Sequence, residues 1–318
     1  MDNRQPLDIR ATGLMLVLCL TWSLQQIFLK ATAEDFSPVL QIALRSGISA
    51  GLVGAFVWLR GSRLDFGDGS WRPGLLAGVL FALEFLLVGQ AVQYTTASHL
   101  VVFLYTAPVF AALGLHWQLP SERLAPLQWT GIALAFGGIA TTFLGRDEQA
   151  VAGGLSSMLW GDVLALAAGA AWGATTVVIR ITRLAYLPAT QTLLYQLVTA
   201  CVLLLLVALV SDQTTFNPTP LVWTSLAFQS VLVAFASFLI WFWLLRHYLA
   251  SRLGVFSFLT PLLGVLLGAW LLGEPVESGF LLGALLVLGG ILLVSGHELL
   301  KQRFGAIRNR LRSNTGPT

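Results

Sequence analysis

Ten long apolar runs follow one another along the chain, and a short polar stretch separates each run from the next. An α-helix needs about 20 such residues to cross the hydrocarbon core of a bilayer. The connecting stretches contain turn-forming pairs such as Ser37-Pro38 and Asn217-Pro218, and none is long enough for an extramembrane domain. The pattern therefore predicts an all-α membrane protein with ten transmembrane helices, over residues 11–30, 38–59, 73–93, 97–118, 125–144, 159–181, 188–210, 220–244, 252–272 and 276–295.

The composition also indicates lipid surroundings. Of the 318 residues, 56% are hydrophobic and only 10% are charged, whereas an ordinary soluble domain is about 25% charged. Cys19 and Cys201 both lie inside apolar runs and offer neither a disulfide framework nor metal-ligand spacing. The first run follows Arg4 and Arg10, as a signal peptide would, but lacks a clear small-residue cleavage site. We therefore expect it to remain as a membrane helix.

The two halves of the chain repeat one pattern at an offset of about 150 residues. Ala97-Ser98-His99-Leu100 is answered by Ala250-Ser251-Arg252-Leu253, which lies 153 positions later. A hydrophobic chain built from two repeats is typical of secondary transporters, whose site lies at the membrane midplane between the halves. Further matched pairs are Trp22 and Trp172, Lys30 and Arg180, Pro38 and Pro188, Pro108 and Pro261, Glu122 and Glu274, and Gly131 and Gly283.

The positions of the basic residues predict the orientation of the chain. With a cytoplasmic N-terminus, fifteen of the 18 Lys and Arg residues fall on the cytoplasmic side, whereas only Lys30 and Arg146 fall on the far side. This asymmetry follows the positive-inside rule and predicts cytoplasmic termini. Residues 1–148 would form the first repeat with helices one to five, residues 149–297 the second with helices six to ten, and residues 298–318 a basic cytoplasmic tail. Because five is odd, the second repeat must be inverted in the membrane relative to the first.

Two matched segments carry a resemblance to a known family. Residues Gly89–Leu124 and Tyr248–Val276 resemble the paired EamA repeats of the drug/metabolite transporter superfamily. Leu272-Gly273-Glu274 keeps a tripeptide usual in that family, whereas the first half has Leu119-Pro120-Ser121-Glu122 instead. The resemblance implies ten helices, a location in the inner (plasma) membrane and export of small metabolites, and it does not specify a substrate.

Polar residues inside the first and sixth runs are candidates for contact with substrate. Trp22 and Gln26 are four residues apart and so share one helix face, with Gln25 beside them; Trp172 and Thr176 repeat that spacing in the second half. Such faces are typical of a pocket, where an amide hydrogen-bonds a polar solute and an indole stacks on it. The alternative is that these groups join neighbouring helices by hydrogen bonds.

Two ionisable residues lie deep inside predicted helices. Glu84 is eleven residues into the third helix, near the midplane, where a carboxyl is costly unless it is paired or hydrated. It is a candidate for exchanging protons or binding a cation, and the alternative is a structural carboxyl held between helices. Arg45, in the second helix, is its candidate counter-charge, and the alternative is that the Arg45 side chain extends to the outer headgroups.

Other midspan residues have roles that the sequence leaves open. Tyr105 and Gln229 are candidate substrate contacts or interhelical hydrogen-bonding groups. Pro108 and Pro261 remove backbone hydrogen bonds at matched positions and are candidate hinges or static bends. Residues at helix ends and small residues are expected to act structurally: Glu122 and Glu274 as helix caps, and Gly169-x-x-x-Gly173 and Gly264-x-x-x-Gly268 as internal packing sites.

The sequence contains no glycine-rich phosphate loop, nucleophile–base pair or metal-ligand cluster. We therefore expect no enzyme activity, no cofactor and no nucleic-acid partner. The leading hypothesis is a secondary transporter, as monomer or homodimer, that exports a small polar or amphipathic, amino-acid-like metabolite by alternating access, with protons as the candidate coupling ion. The alternatives are a flippase for lipid-linked substrates and a non-transporting membrane scaffold, although a scaffold has no need of polar groups at the midplane.

Overall fold

A computed structural model describes residues 8–61, 64, 69–120, 123–144, 155–248, 253, 256–294 and 296. Within these ranges the chain is mainly helical and contains no β-strand, and an isolated antiparallel bridge joins Phe36 to Phe216. Several residues named in the sequence analysis lie outside the described residues: Arg4, Ser121, Glu122, Arg146, Ala250, Ser251, Arg252 and the tail 298–318.

The helices follow the predicted apolar runs closely. In the first half they are α1 (Ile9–Ala31), α2 (Pro38–Leu59), α3 (Trp71–Tyr94), α4 (Ala97–Leu104), α5 (Ala107–Gln118) and α6 (Pro126–Leu144). In the second half they are α7 (Leu155–Ile181), a 3₁₀ turn (Arg183–Tyr186), α8 (Ala189–Val210), α9 (Pro220–Ala227), a π-helical segment (Phe228–Ser237), α10 (Phe238–His247), α11 (Leu259–Leu271) and α12 (Ser278–Val294).

Seven helices of the described chain are long and apolar enough to cross a membrane, counting α4 with α5 and α9 with the segment that follows it. Two further apolar helices, α11 and α12, are shorter. The prediction of an all-α chain with several membrane-spanning helices is thus confirmed, and the described residues account for seven full spans rather than ten.

Local sequence sets where the helices begin. The side chains of Asp8, Thr96 and Thr219 each accept a hydrogen bond from the backbone amide three residues later, which satisfies one of the free donors of the first turn. Pro38 and Pro220 occupy first-turn positions, where a missing N–H costs nothing.

Two helices are interrupted just before a matched proline. The run predicted as one helix over 97–118 divides at Tyr105 and Thr106, and α11 begins directly after a turn at Phe258, so each break lies three residues before Pro108 or Pro261. Proline supplies no N–H, and its ring clashes with the carbonyl four residues earlier, which explains a break at this point.

Glycines let α7 approach the break between α4 and α5. A Cβ atom at Gly169 would lie 2.8 Å from the carbonyl oxygen of Phe103, and one at Gly173 would lie 2.9 Å from that of Ala107. The expectation that Gly169-x-x-x-Gly173 packs inside the bundle is therefore confirmed.

Four glycines also form the contact between α6 and α12, which we call the glycine seam. A Cβ atom at Gly131 would lie 2.7 Å from the carbonyl oxygen of Gly290, and one at Gly138 would lie 2.6 Å from that of Gly283. The earlier glycine of α6 meets the later glycine of α12, so the two helices run antiparallel. Their backbones touch directly, because neither side has a side chain at these points.

The bundle has two ends, which we name after one residue at each. At the Lys30 end, the Lys30 ammonium donates hydrogen bonds to the carbonyl oxygens of Val92 and Thr95, at 2.6 and 2.8 Å, and so caps the last turn of α3. At the Arg60 end, Arg60 directly follows α2. It lies near Arg10, in the first turn of α1, and near His247, the last residue of α10.

Candidate functional site

A cavity of about 280 Å³ lies between α1, α3, α7, α8, α10 and the α4–α5 break. Its walls combine several aromatic rings with a small number of polar groups, a combination typical of small-molecule sites. The lining residues are Trp22, Gln25, Gln26, Phe81, Glu84, Phe85, Leu104, Tyr105, Trp172, Thr175, Thr176, Ile179, Gln196, Phe238, Trp241 and Ser257.

The structure brings together most of the residues that the sequence singled out. The first-helix residues Trp22, Gln25 and Gln26 line the cavity, and so do Trp172 and Thr176, their counterparts in the second half. Tyr105, at the α4–α5 break, and Glu84 also contribute to its wall.

Aromatic contacts fix the positions of the two tryptophans. The Trp22 indole N–H donates to the Ser237 hydroxyl at 2.9 Å, and its ring meets the edge of Trp241 with the centroids 5.6 Å apart. Trp172 meets Tyr105 in the same edge-to-face manner, with the centroids 5.3 Å apart. Edge-to-face pairs of this kind are favourable beyond their buried area, so both indoles are held in place beside the cavity.

Glu84 is buried, with a relative exposure of 5%, yet it lies on the wall of the cavity. Its Oε2 atom has no hydrogen-bond partner among the described residues. Gln26, 3% exposed, likewise has an unpartnered Oε1 atom. A buried polar atom without a partner is costly, so these two oxygens mark the place where a solute or water would find acceptors.

Arg45 and Gln229 contact each other, and Arg45 is close enough to Glu84 for the two buried charges to attract. The Arg45 guanidinium donates to the Gln229 side-chain oxygen at 2.8 Å and stacks over the Phe85 ring, 4.3 Å from its centroid. Neither Arg45 nor Gln229 is part of the cavity wall. In the described chain no ion pair within 4.0 Å joins Arg45 to Glu84. The π-helical segment carries Gln229, and π-helices widen the turn and so change which residues share a face.

The sequence arguments missed several residues of the wall. Phe81 and Phe85 lie beside Glu84 on one face of α3, and their i, i+3, i+4 spacing was a readable signal. Phe238 and Trp241 belong to α10, which begins directly after the π-helical segment. Nothing in the sequence indicated the change of helix face that turns these two residues towards the cavity.

Buried polar contacts close the Lys30 end above the cavity. Asp162 accepts a hydrogen bond from the Thr95 hydroxyl at 2.5 Å and pairs with His99 Nδ1 at 3.0 Å, and both His99 and Asp162 are buried. The His99 ring stacks on Phe280, with the centroids 3.9 Å apart.

Glu274 completes this closure by capping α4. Its carboxylate accepts hydrogen bonds from the backbone amides of Ala97 and Ser98, at 2.6 and 3.0 Å. Gly273 has a φ angle of +64°, a left-handed conformation that favours glycine and turns the chain back towards α4. The expectation that Glu274 is a helix cap is confirmed.

Clefts open the Arg60 end instead. One, of about 310 Å³, lies between α5, α6, α7 and α12 and shares Trp172 and Thr176 with the central cavity. Another, of about 480 Å³, is lined by residues that include Arg10, Arg60 and Trp243. The central cavity is therefore nearer to an opening at the Arg60 end than at the Lys30 end.

Known proteins resemble this chain over most of its length. An "Uncharacterized transporter" of Archaeoglobus fulgidus is 27% identical over 296 residues, which cover 90% of this chain and 98% of that protein. The "Uncharacterized transporter YoaV" of Bacillus subtilis is 23% identical and covers 86% of this chain and 92% of its own length. The "Uncharacterized inner membrane transporter YedA" of Escherichia coli K12 is 24% identical and covers 84% of each chain.

The fold and the family agree with these relatives. A protein of known crystal structure superposes with a TM-score of 0.63 over 93% of this chain and 98% of its own, at 21% identity, which establishes likeness of fold. The sequence profile of the EamA-like transporter family matches residues 10–144 and 159–296. With its membrane-spanning helices and a profile match over most of its length, the chain is a multi-pass membrane protein that belongs to the EamA-like transporter family.

Proposed function

We propose that the chain is a secondary transporter that exports small polar or amphipathic metabolites through the central cavity by alternating access. The observation that carries the proposal is the cavity itself, whose wall includes Trp22 and Trp172, two residues at equivalent positions of the two halves. A midplane site between repeated halves lets the same groups face first one side of the membrane and then the other. The outward direction follows from the resemblance to metabolite exporters.

We further propose ten helices arranged as two inverted repeats, residues 1–148 and 149–297. The glycine seam supports this arrangement. Gly131 and Gly283 are 152 positions apart, as are Gly138 and Gly290. Gly131 meets Gly290, which is the counterpart of Gly138, and Gly138 meets Gly283, which is the counterpart of Gly131. That cross-matching is what a two-fold axis produces at an interface.

The proposed orientation places both termini in the cytoplasm. Arg10 and Arg60, which the basic-residue asymmetry assigns to the cytoplasm, lie together at the Arg60 end. Lys30, assigned to the far side, lies at the other end with Thr95. This grouping supports an inward Arg60 end and an outward Lys30 end. Reporter fusions after Arg183 and at Asp212 test it: cytoplasmic and external signals, respectively, are expected, and an external signal at Arg183 would contradict the inverted repeats.

Glu84 is proposed to exchange protons during the transport cycle. It is the ionisable carboxyl of the cavity wall, and Arg45 is bonded to Gln229 rather than to it. Without a fixed ion pair, the carboxyl is available to a proton from whichever side the cavity faces.

Counterflow in proteoliposomes tests the transport proposal. Purified chain would be reconstituted with one unlabelled metabolite inside, and uptake of the same labelled metabolite would be followed across a library of amines, amino acids and other small solutes. Saturable counterflow of at least one solute is expected. Its absence across the library, in correctly inserted protein, would favour a non-transporting scaffold.

Cysteine accessibility tests whether the cavity lies on the pathway. In a background with Cys19 and Cys201 replaced by alanine, Trp22→Cys and Thr176→Cys should react with small polar thiol reagents, and a transported solute should protect them. Leu204→Cys is a matched control, since Leu204 is buried in the core away from the cavity wall and should stay unreactive.

A further inference from the structure

The cavity wall carries one acidic side chain among the described residues. Glu84 is the acidic member, and no Lys, Arg or His belongs to the wall as the described residues define it. A charge buried at the midplane needs an opposite charge, a proton or water. The wall therefore offers a place for a cation, and it offers no cationic partner for an anion.

The unpartnered polar atoms of the wall point to the same kind of ligand. Glu84 Oε2 and Gln26 Oε1 are both buried oxygens that accept hydrogen bonds. A ligand with several N–H donors would satisfy them, and an ammonium group carries three. The argument from Glu84 does not depend on how an amide is oriented, because both oxygens of a carboxylate are acceptors.

The aromatic part of the wall suits the rest of such a ligand. Three indoles border the cavity, those of Trp22, Trp172 and Trp241. Aromatic faces attract cations, and tryptophan does so most strongly. The same faces also give a flat apolar body a surface on which to stack.

Arg45 is the buried cation that would otherwise bind a carboxylate. Its guanidinium donates to Gln229 and stacks on the Phe85 ring, its Nε has no partner among the described residues, and its charge attracts that of Glu84, but it lies outside the wall of the cavity. An amino acid in the cavity would leave its carboxylate without a charged partner, which is costly in a water-poor site.

We propose that the central cavity binds a small organic cation, an ammonium group attached to a flat apolar body, and discriminates against the corresponding amino acid. The ammonium donates to Glu84 and Gln26, and the apolar body rests against the indoles of Trp22, Trp172 and Trp241. This inference rests on the transport function proposed above, and it narrows the substrate to an amine.

Tryptamine and tryptophan are a matched pair of probes, since they differ by one carboxylate. Binding of each radiolabelled probe to the purified full chain in nanodiscs would be measured with wild type, Glu84→Gln and Glu34→Gln. Glu34→Gln makes the same chemical change at an exposed position in the turn after α1. We expect wild type and Glu34→Gln to bind tryptamine at least about tenfold more tightly than tryptophan, and Glu84→Gln to lose about tenfold or more in tryptamine affinity.

Several results would overturn the inference. They are equal binding of the two probes, unchanged tryptamine affinity in Glu84→Gln, and no saturable binding of tryptamine to wild type. The comparison of probes on wild type stands even where Glu84→Gln does not fold. Counterflow with the same probes separates this inference from the transport proposal. If tryptophan is exchanged and tryptamine is not, the amine assignment is wrong and the transport proposal stands. If tryptamine binds but neither probe is exchanged, the transport proposal is wrong and the amine assignment stands.

Discussion

The two ends of the bundle close the central cavity in different ways. At the Lys30 end, the barrier consists of buried polar contacts: Asp162 with Thr95 and His99, and Glu274 with the first amides of α4. At the Arg60 end, clefts of about 310 and 480 Å³ enter between the helices, and the first shares part of its wall with the cavity. The bonds that close the Lys30 end are buried, whereas those at the Arg60 end, such as the bond from the Gln128 side-chain amide to the Val294 carbonyl oxygen at 2.9 Å, lie beside open clefts.

This difference indicates which contacts must break at each end before a solute can pass. Opening the Lys30 end requires buried hydrogen bonds to break together, since each partner left behind would be unsatisfied. Opening the Arg60 end requires helices to separate along surfaces that already contain clefts. In the proposed orientation, the structure therefore corresponds to a state that is closed to the outside and nearly open to the cytoplasm.

The largest effect is expected for Glu84→Gln, because Glu84 lies between the two ends and is proposed to meet protons from both. The amide has a similar shape, so the chain should insert and fold. Transport driven by a pH gradient should be abolished, whereas solute exchange at fixed pH and saturating solute, which needs no net proton movement, should persist with a weakened affinity. Both are measured in proteoliposomes.

Glu34→Gln is the control for Glu84→Gln and should behave as wild type. Normal pH-driven transport in Glu84→Gln would remove the coupling role. If the variant fails to accumulate, Glu84 is structural. Rescue by Arg45→Gln in the same chain would then identify Arg45 as the counter-charge of Glu84.

Asp162→Asn is expected to weaken the closure of the Lys30 end. It removes the charge that pairs with His99, at a cost of about 1–3 kcal/mol for a buried bonded group. A shift of that size changes an open-to-closed ratio roughly fivefold or more. Labelling of Thr176→Cys by an impermeant thiol reagent added outside should speed up accordingly.

Asp212→Asn is the matched control for this test, because Asp212 is exposed in the turn after α8. Equal labelling rates in Asp162→Asn and Asp212→Asn would mean that the Asp162 contacts do not hold this end closed.

Glu274→Gln should have a smaller effect of the same kind. One side-chain oxygen remains to accept from α4, but the new amide nitrogen cannot accept from the backbone amide that faced the other oxygen. One hydrogen bond at a half-buried site and the charge at the helix N-terminus are therefore lost, together about 1 kcal/mol. We expect a modest rise in outside labelling, below that of Asp162→Asn. A larger rise than in Asp162→Asn would show that the cap, rather than the His99–Asp162 pair, is the main barrier.

The smallest effect is expected at the Arg60 end, at Asp8. The hydrogen bond from the Ala11 amide lowers the pKa of Asp8 below its usual value. A carboxyl whose pKa is lowered by folding stabilises the fold at neutral pH, and this contribution is lost as the pH falls through the folded pKa. Asp8→Ala should therefore lower Tm slightly at pH 7, and the difference from wild type should shrink on acidification. A constant difference would mean that ionisation of Asp8 does not matter.

Much of the fold was predictable because apolar length is a direct physical requirement of the bilayer. The structure places α2 over Pro38–Leu59, as predicted, and the ends of α1, α3 and α8 differ from prediction by at most two residues. The faces shared by Trp22 with Gln26 and by Trp172 with Thr176 were predictable for a similar reason, since helical spacing alone puts residues four apart on one side.

The rest of the site depends on contacts that one helix cannot reveal. Depth in the membrane made Arg45 a natural partner for Glu84, but depth does not specify the direction in which a side chain points. The amide of Gln229 and the ring of Phe85 decide that direction. Gln229 makes the interhelical hydrogen bond that the sequence left open as one alternative, and it lies in a π-helical segment, whereas periodicity arguments assume 3.6 residues per turn.

The glycine seam limits which mutations the chain can accept. Every substitution of glycine adds at least a Cβ atom, so no replacement at Gly131, Gly138 or Gly290 is sterically silent, because carbonyl oxygens occupy the space. Gly137 and Gly289 adjoin the seam, but a Cβ atom there would meet nothing closer than 3.5 Å. In a library of all single substitutions, the seam should be depleted of survivors while its immediate neighbours vary freely, a contrast between adjacent positions that hydrophobicity alone would never produce.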